Sequence, residues 1–295
     1  MQIGVTFPQY EIGADPAAIH GYARAAEELG YQHLLAYDHV LGADPKNRQG
    51  WSGYTHEHMF HEVFVLFGYL AGIVPRLELV TGVVILPQRQ AALAAKQAAQ
   101  VDVLTGSKFR LGVGVGWNAV EYEALGMNFK TRGKLIEEQV GLMRRLWERE
   151  VISFDGKFHR VTEAGLNPLP LRRSIPVWMG GGADVLLRRT ARLGDGWFPQ
   201  GRPDEEMRRK LDLLRRYTEE AGRDPNTVGI EARVNFGDGV GACVRQTQEW
   251  QALGATYISI NTMGAGLATP SNHIEAIRSY MDAVQATTVQ TGPTK

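Results

Sequence analysis

Two sets of residues in this chain have types and spacing suited to chemistry on a small molecule. The first is glycine. The run LGVGVGWNAVEYEALG (111–126) alternates Gly112, Gly114 and Gly116 ahead of a helix-like segment, and WMGGG (178–182) ends on Gly180, Gly181 and Gly182. Glycines at a strand end let a ligand approach backbone that a Cβ would block. A helix starting near Asn118 would turn unpaired N–H groups and a positive dipole end toward an anion. The chemistry is phosphate binding, and the competing reading is a strand glycine packed against a neighbouring element. The second set is Asp38-His39, at the end of the strand-like HLLAYD (33–38). An imidazole exchanges protons near neutral pH, and an adjacent carboxylate can orient it or bond a ligand. The plainer reading has Asp38 capping a loop and His39 on the surface. With Glu121, the same pair would also suit a flavin-free lyase or hydrolase.

Other conspicuous residues carry less. His56, His58 and His61 sit at the start of an expected helix, with His58 and His61 at i, i+3, a spacing that would put two metal ligands on one face. No third ligand has fitting spacing, so no metal is expected. Arg132 with Glu137 or Glu138 reads as a structural ion pair. Arg172-Arg173 and Arg188-Arg189 read as solvated charges. The single cysteine, Cys243, has no companion at metal spacing and reads as a small buried apolar residue.

Strand and helix patterns alternate along the chain to supply these positions. IGVTF (3–7) precedes a helix capped by Asp15 with Pro16 in its first turn. HLLAYD precedes a helix around Glu57–Ile73, and LELVTGVVI (77–85) precedes Ala91–Leu104. FRLGVGVG (109–116) is followed by a helix centred on Ile136, Val140, Met143 and Trp147. IPVWMGG (175–181) leads into Ala183–Leu193, and GWFPQ (196–200) into a helix with Met207, Leu211 and Leu214 on one face. TVGIEARVNF (227–236) leads into a helix near Val244–Leu253, and YISINT (257–262) into a helix with Ile274, Ile277, Met281 and Val284. Eight such units imply a parallel α/β sheet with right-handed crossovers, and at 295 residues they favour a closed (β/α)8 TIM barrel. A barrel needs about 250 residues. The remainder is expected as insertions near 40–56, 117–133 and 149–175 at the C-terminal mouth, the last as a hairpin around Asp155-Gly156. One domain over 1–286 and a frayed tail over 287–295 complete the expected organisation.

Composition narrows the partner. Thirty-two basic residues balance thirty-two acidic ones, and 44% of residues are hydrophobic. No global field points to nucleic acid or an anionic membrane, so the expected partner is a small molecule. No apolar run approaches a spanning helix and no basic leader opens the chain, which predicts a soluble, cytoplasmic protein.

VTGVVILPQR (80–89), AAKQAAQVDVLTGSKFRLGVGVGWNAVEYEALG (94–126), IPVWMGGG (175–182) and RLGDGWFPQG (192–201), with Asp38-His39 ahead of them, span most of the chain. In that order they resemble the luciferase-like monooxygenase superfamily, and within it the branch dependent on the deazaflavin coenzyme F420. The resemblance implies a non-prolyl cis peptide at Gly82–Val83, beside Thr81, whose bulge supports the central flavin ring. It places the cofactor phosphate between Gly114, Val115 and Gly116 on one side and Met179, Gly180, Gly181 and Gly182 on the other. Asp38 and His39 would lie near the reactive ring edge, His39 transferring a proton and Asp38 orienting His39 or the cofactor. The implied reaction is hydride transfer between F420 and a small organic substrate. The alternative is FMN with oxygen in a two-component monooxygenase fed by a separate flavin reductase, since the same glycines accept either phosphate. A non-catalytic flavin-binding barrel is a further alternative. Sugar-phosphate dehydrogenases of this branch carry a glutamate directly after the strand-four GxG. Trp117 stands there instead, so that chemistry is not expected, and Trp117 with Trp197 is expected to wall the substrate pocket. Thr105-Gly106-Ser107-Lys108 replaces the usual SGGR as a tolerable turn. Relatives are often dimers, so the resemblance admits a homodimer.

Overall fold

A computed structural model describes the backbone of residues 1–290 and the side chains of residues 1–287. β1 (Gln2–Thr6) leads to α1 (Pro16–Glu28), where the Asp15 side chain accepts the Ala17 N–H and Ile19, Ala23 and Ala26 turn inward. β2 (His33–Ala36), buried throughout, is followed by α2 (Val63–Ala71). The third strand is broken into β3 (Glu78–Thr81) and β4 (Val84–Ile85) before α3 (Ala91–Thr105). β5 (Phe109–Gly114) precedes the short α4 (Ala119–Ala124) and the long α5 (Arg132–Glu148). The hairpin β6 (Ile152–Asp155) and β7 (Arg160–Ala164) comes next, then β8 (Val177–Gly180) and α6 (Asp184–Leu193). β9 (Gly196–Phe198), α7 (Glu205–Glu220), β10 (Gly229–Asn235), α8 (Val240–Ala252), β11 (Tyr257–Asn261) and α9 (Pro270–Gln290) finish the chain. The expected tail begins inside α9, and its residues 291–295 lie outside the described residues.

Every barrel pair is parallel. The order β3-β2-β1-β11-β10-β9-β8-β5 closes through β3–β5, and β4 continues β3 along β5. This is the (β/α)8 barrel anticipated from the alternation. Its lower interior holds a polar network. Arg110 meets Glu78 at 2.7 Å and Glu231 at 2.8 Å, and Glu231 also meets His33 at 2.9 Å and Ser259. The Arg110 guanidinium lies 4.4 Å from the Trp178 ring and 4.2 Å from that of Tyr257, so apolar faces and carboxylates share the desolvation of one charge. Among the described residues no helix is long and apolar enough to cross a membrane.

Several local expectations are corrected. α2 starts at Val63 because Glu62 caps it, accepting the Val65 N–H at 2.7 Å. His56, His58 and His61 therefore precede the helix rather than sharing its face, and the His58 imidazole is turned back onto Thr55. Among the described residues Glu138 pairs with no arginine: it accepts the N–H groups of Lys157, Phe158 and His159 and fastens the β6–β7 turn to α5. Glu137 pairs with Arg189 and Arg192, while Arg132 covers the Phe129 ring. Arg189 is thus buried, not solvated. The hairpin lies along α5, with Arg145 donating to the Ser153 carbonyl at 3.0 Å, whereas the segments after β2 and β5 flank the mouth.

Candidate active site

At the C-terminal ends of the strands lies a cavity of about 380 Å³. Tyr37, Asp38 and His39 enter it after β2, Gly82 and Val83 between β3 and β4, and Gly114 to Trp117 after β5. Gly180, Gly181 and Phe198 come from β8 and β9, and Arg233 from β10. Glu231 and Ser259 carry the polar network up to it.

The alternating glycines are explained by the broken third strand. The Gly82–Val83 peptide is cis, and the register against β5 slips by one residue between Val80↔Arg110 and Val84↔Val113. A Cβ on Gly112 would overlap the Thr81 carbonyl oxygen. One on Gly114 would lie 2.7 Å from Val83 Cγ2, and one on Gly116 2.7 Å from Ile85 Cγ2. A Cβ on Gly180 would lie 2.8 Å from Val83 Cγ1, so Val83 is clasped between Gly114 and Gly180. A period of two on β5 therefore answers a period of two at positions 81, 83 and 85. Packing is the immediate reason for these glycines. Bare backbone beside the cavity is the consequence.

Of the two glycine-led helix ends, the one after β5 is already capped. Asn118 caps α4 with its own side chain, accepting the Val120 N–H at 3.1 Å, and Glu121 sits in that helix's first turn. α6 starts differently. Its cap residue is Ala183, which offers no side-chain acceptor, and Gly180-Gly181-Gly182 runs straight into it. Trp197 Nε1 donates to the Gly181 carbonyl at 2.7 Å and holds this loop. Asp184 in the first turn is already engaged by Arg188 at 3.0 Å and by the Tyr217 hydroxyl at 2.7 Å.

His39 is partnered by Glu121, not by Asp38. Glu121 Oε1 lies 3.2 Å from His39 Nδ1 and accepts the Val40 N–H at 2.8 Å, while Gln88 Nε2 donates to Oε2 at 3.3 Å. Burial alone would raise the Glu121 pKa, but the bond from His39, its charge, and the Val40 and Gln88 donors bring it below the ordinary carboxylate value. Asp38 turns to Arg89 at 2.6 Å and to the Ile85 N–H at 3.2 Å, tying the end of β2 to β4 just beyond the bulge. Burial carries its pKa above the usual carboxylate range, with Arg89 and the Ile85 N–H opposing.

Four expected site residues lie outside the cavity wall. Thr81 is fully buried and donates its hydroxyl to the Gly112 carbonyl at 2.8 Å. Met179 and Trp197 are fully buried because side chains alternate along a strand, which leaves the cavity to Gly180 on β8 and Phe198 on β9. Gly182 belongs to the loop behind the lining. Trp117 does line the cavity, 49% exposed, its ring 6.0 Å from His39 and 5.6 Å from Trp51. Tyr37, Arg89 and Arg233 were missed by motif reading because nothing local to them marks a site. Among the described residues no group of three or more His, Cys, Asp or Glu could hold a metal.

Residues 2–287 match the family model described as luciferase-like monooxygenase. The chain belongs to the luciferase-like monooxygenase family. It is 35% identical over 211 residues to an uncharacterised protein of Mycobacterium tuberculosis, covering 68% of this chain and 71% of that one. It is 27% identical over 280 residues to the F420-dependent hydroxymycolic acid dehydrogenase of M. tuberculosis, covering 93% of this chain and 74% of the relative. The FMNH(2)-dependent dimethylsulfone monooxygenase of Pseudomonas putida is 26% identical over 197 residues, covering 65% and 51%. The monooxygenase RslO1 from Streptomyces bottropensis shares the fold, with a TM-score of 0.80 at 18% identity over 98% of this chain and 100% of that one. This luciferase-like protein is accordingly an oxidoreductase, and its named relatives divide between F420 and FMN.

Proposed function

We propose that this luciferase-like protein is an F420-dependent oxidoreductase moving a hydride between the deazaflavin and a small organic substrate. The observation that carries the reading is the His39–Glu121 pair at the mouth of a cavity floored by the Gly82–Val83 bulge. That is a proton-transfer group held beside a hollow of ligand size. The F420-dependent relative also aligns over more of the chain than the FMN-dependent one.

The residues fit a phosphate-bearing ring system. Gly180, Gly181 and Gly182 with the uncapped N–H groups of α6 would take the phosphate, and Val83 with Gly114, Val115 and Gly116 would support the ring. When bound, a deazaflavin supplies the hydride acceptor or donor. The chain's own task is the proton. With Nδ1–H donated to Glu121, His39 keeps Nε2 as the nitrogen that takes a proton from a substrate hydroxyl, or returns one in the reverse direction. Tyr54 and Phe60 pack their rings 4.8 and 4.7 Å from the imidazole, limiting water around it. Asp38 acts at one remove, through Arg89 and Ile85, by fixing the strand that carries the bulge.

Separate fluorescence titrations of the purified protein with F420 and with FMN test this. F420 is expected to bind more tightly. Tighter FMN binding overturns the cofactor choice in favour of a monooxygenase with a separate reductase, and binding of neither overturns the reading altogether.

A further inference from the structure

Arg233 is a cation at the cavity that, among the described residues, no acid pairs with. It projects from β10, four places around the closed strand order from the β3 bulge. Its Nη1 donates to the Tyr37 hydroxyl oxygen at 2.9 Å, and the groups acting on it are the phenols of Tyr37, Tyr54 and Tyr10. Among the described residues no Asp or Glu pairs with it. Each carboxylate lining the cavity is already engaged: Asp38 by Arg89, Glu121 by His39 and the Val40 N–H, Glu231 by His33 and Arg110.

The donors are arranged for one kind of ligand. Tyr37 accepts the bond from Arg233, so its own O–H is free to donate, and the guanidinium fork keeps further N–H groups. A fork beside a hydroxyl donor matches the oxygens of a carboxylate or phosphate, for which such charge-assisted bonds are the strong ones. The rings of Tyr54, Trp117 and Phe198 also line the cavity and offer apolar faces to the rest of the molecule.

We propose that Arg233 and Tyr37 form an oxyanion subsite for the substrate, so that the enzyme acts on small organic molecules with an apolar body and a carboxylate or phosphate group. The word substrate rests on the proposed function, whereas the subsite itself does not. Benzoate and its neutral counterpart benzyl alcohol are the probes, titrated into cofactor-free and F420-loaded protein with calorimetry as the readout. Benzoate is expected to bind more tightly than benzyl alcohol. Arg233→Gln should weaken benzoate about ten- to a hundred-fold, the range for losing a hydrogen bond from a charged group, and leave benzyl alcohol and F420 affinity in place. Tyr37→Phe, which keeps the ring, should weaken benzoate by about five-fold. Inorganic phosphate displacing benzoate would extend the subsite to phosphate esters, and failure to displace it would restrict it to carboxylates. Benzoate binding unchanged in both variants overturns the proposal. So does an F420 affinity that falls together with that for benzoate in Arg233→Gln, because the oxyanion would then be the cofactor's. If the wild type binds no flavin or deazaflavin, the proposed function fails, while the benzoate comparison in cofactor-free protein still decides the subsite.

Discussion

At the scale of single residues, the decisive feature is that His39 and Glu121 meet although they lie 82 positions apart. Histidine at a barrel strand end was legible as a proton carrier, and the carboxylate next to it in the chain was the natural candidate to orient it. Both residues lie just beyond the end of β2, where Asp38 turns to Arg89 and His39 to a partner in the first turn of α4. His39→Ala should lower kcat by about 10²- to 10⁴-fold, the range for a general acid or base, with the cofactor dissociation constant nearly unchanged in a fluorescence titration. Unchanged kcat would remove His39 from the mechanism. Glu121→Gln retains the hydrogen-bonding shape but replaces the carboxylate that holds His39 Nδ1 by a neutral amide. If Glu121 positions His39 for proton transfer, kcat should fall more than KM rises. A purely structural Glu121 would lower Tm without that split.

At the scale of elements, the glycines of β5 record the shape of their neighbour. The sequence displayed three glycines at spacing two, a pattern equally suited to a ligand and to packing. Only the pairing of β5 with a strand that slips register shows that Val83 fills the space first. Gly114→Ala should cost about 1–3 kcal/mol, the usual range for overpacking, because Val83 Cγ2 stands 2.7 Å from the new methyl. The same change should weaken cofactor binding, since the bulge must shift. Val83→Ala added to Gly114→Ala should recover part of the lost Tm. Additive losses in that double-mutant cycle would show that the two residues do not share the space. α6, rather than α4, offers the open helix end for a related reason. Asn118 looked like the start of an anion-binding helix, yet a side chain that caps its own helix has already satisfied the donor an anion would need.

At the scale of the whole molecule, closing eight strands buries Glu231 against His33, Arg110 and Ser259. Burial raises its pKa, but His33 and Arg110 outweigh it and bring the value from the ordinary 4.5 to about 2. A carboxylate lowered in this way contributes stability above its unfolded value and loses it as pH falls through the folded one. Tm should therefore decline between about pH 4.5 and pH 2, and Glu231→Gln should flatten that decline, as followed by circular dichroism. An equally steep decline in the variant would place the acid sensitivity elsewhere. The alternation of strand and helix, the cap at Asp15, the two glycine loops and the family likeness were all determined by the sequence, because periodicity, capping and loop composition are properties of neighbouring residues. The tertiary structure alone decided which carboxylate serves His39, why β5 carries glycine at every second position, which helix end stays open, and that among the described residues Arg233 pairs with no acid. Those are relations between strands that adjoin only once the barrel closes, so no stretch of the chain contains them.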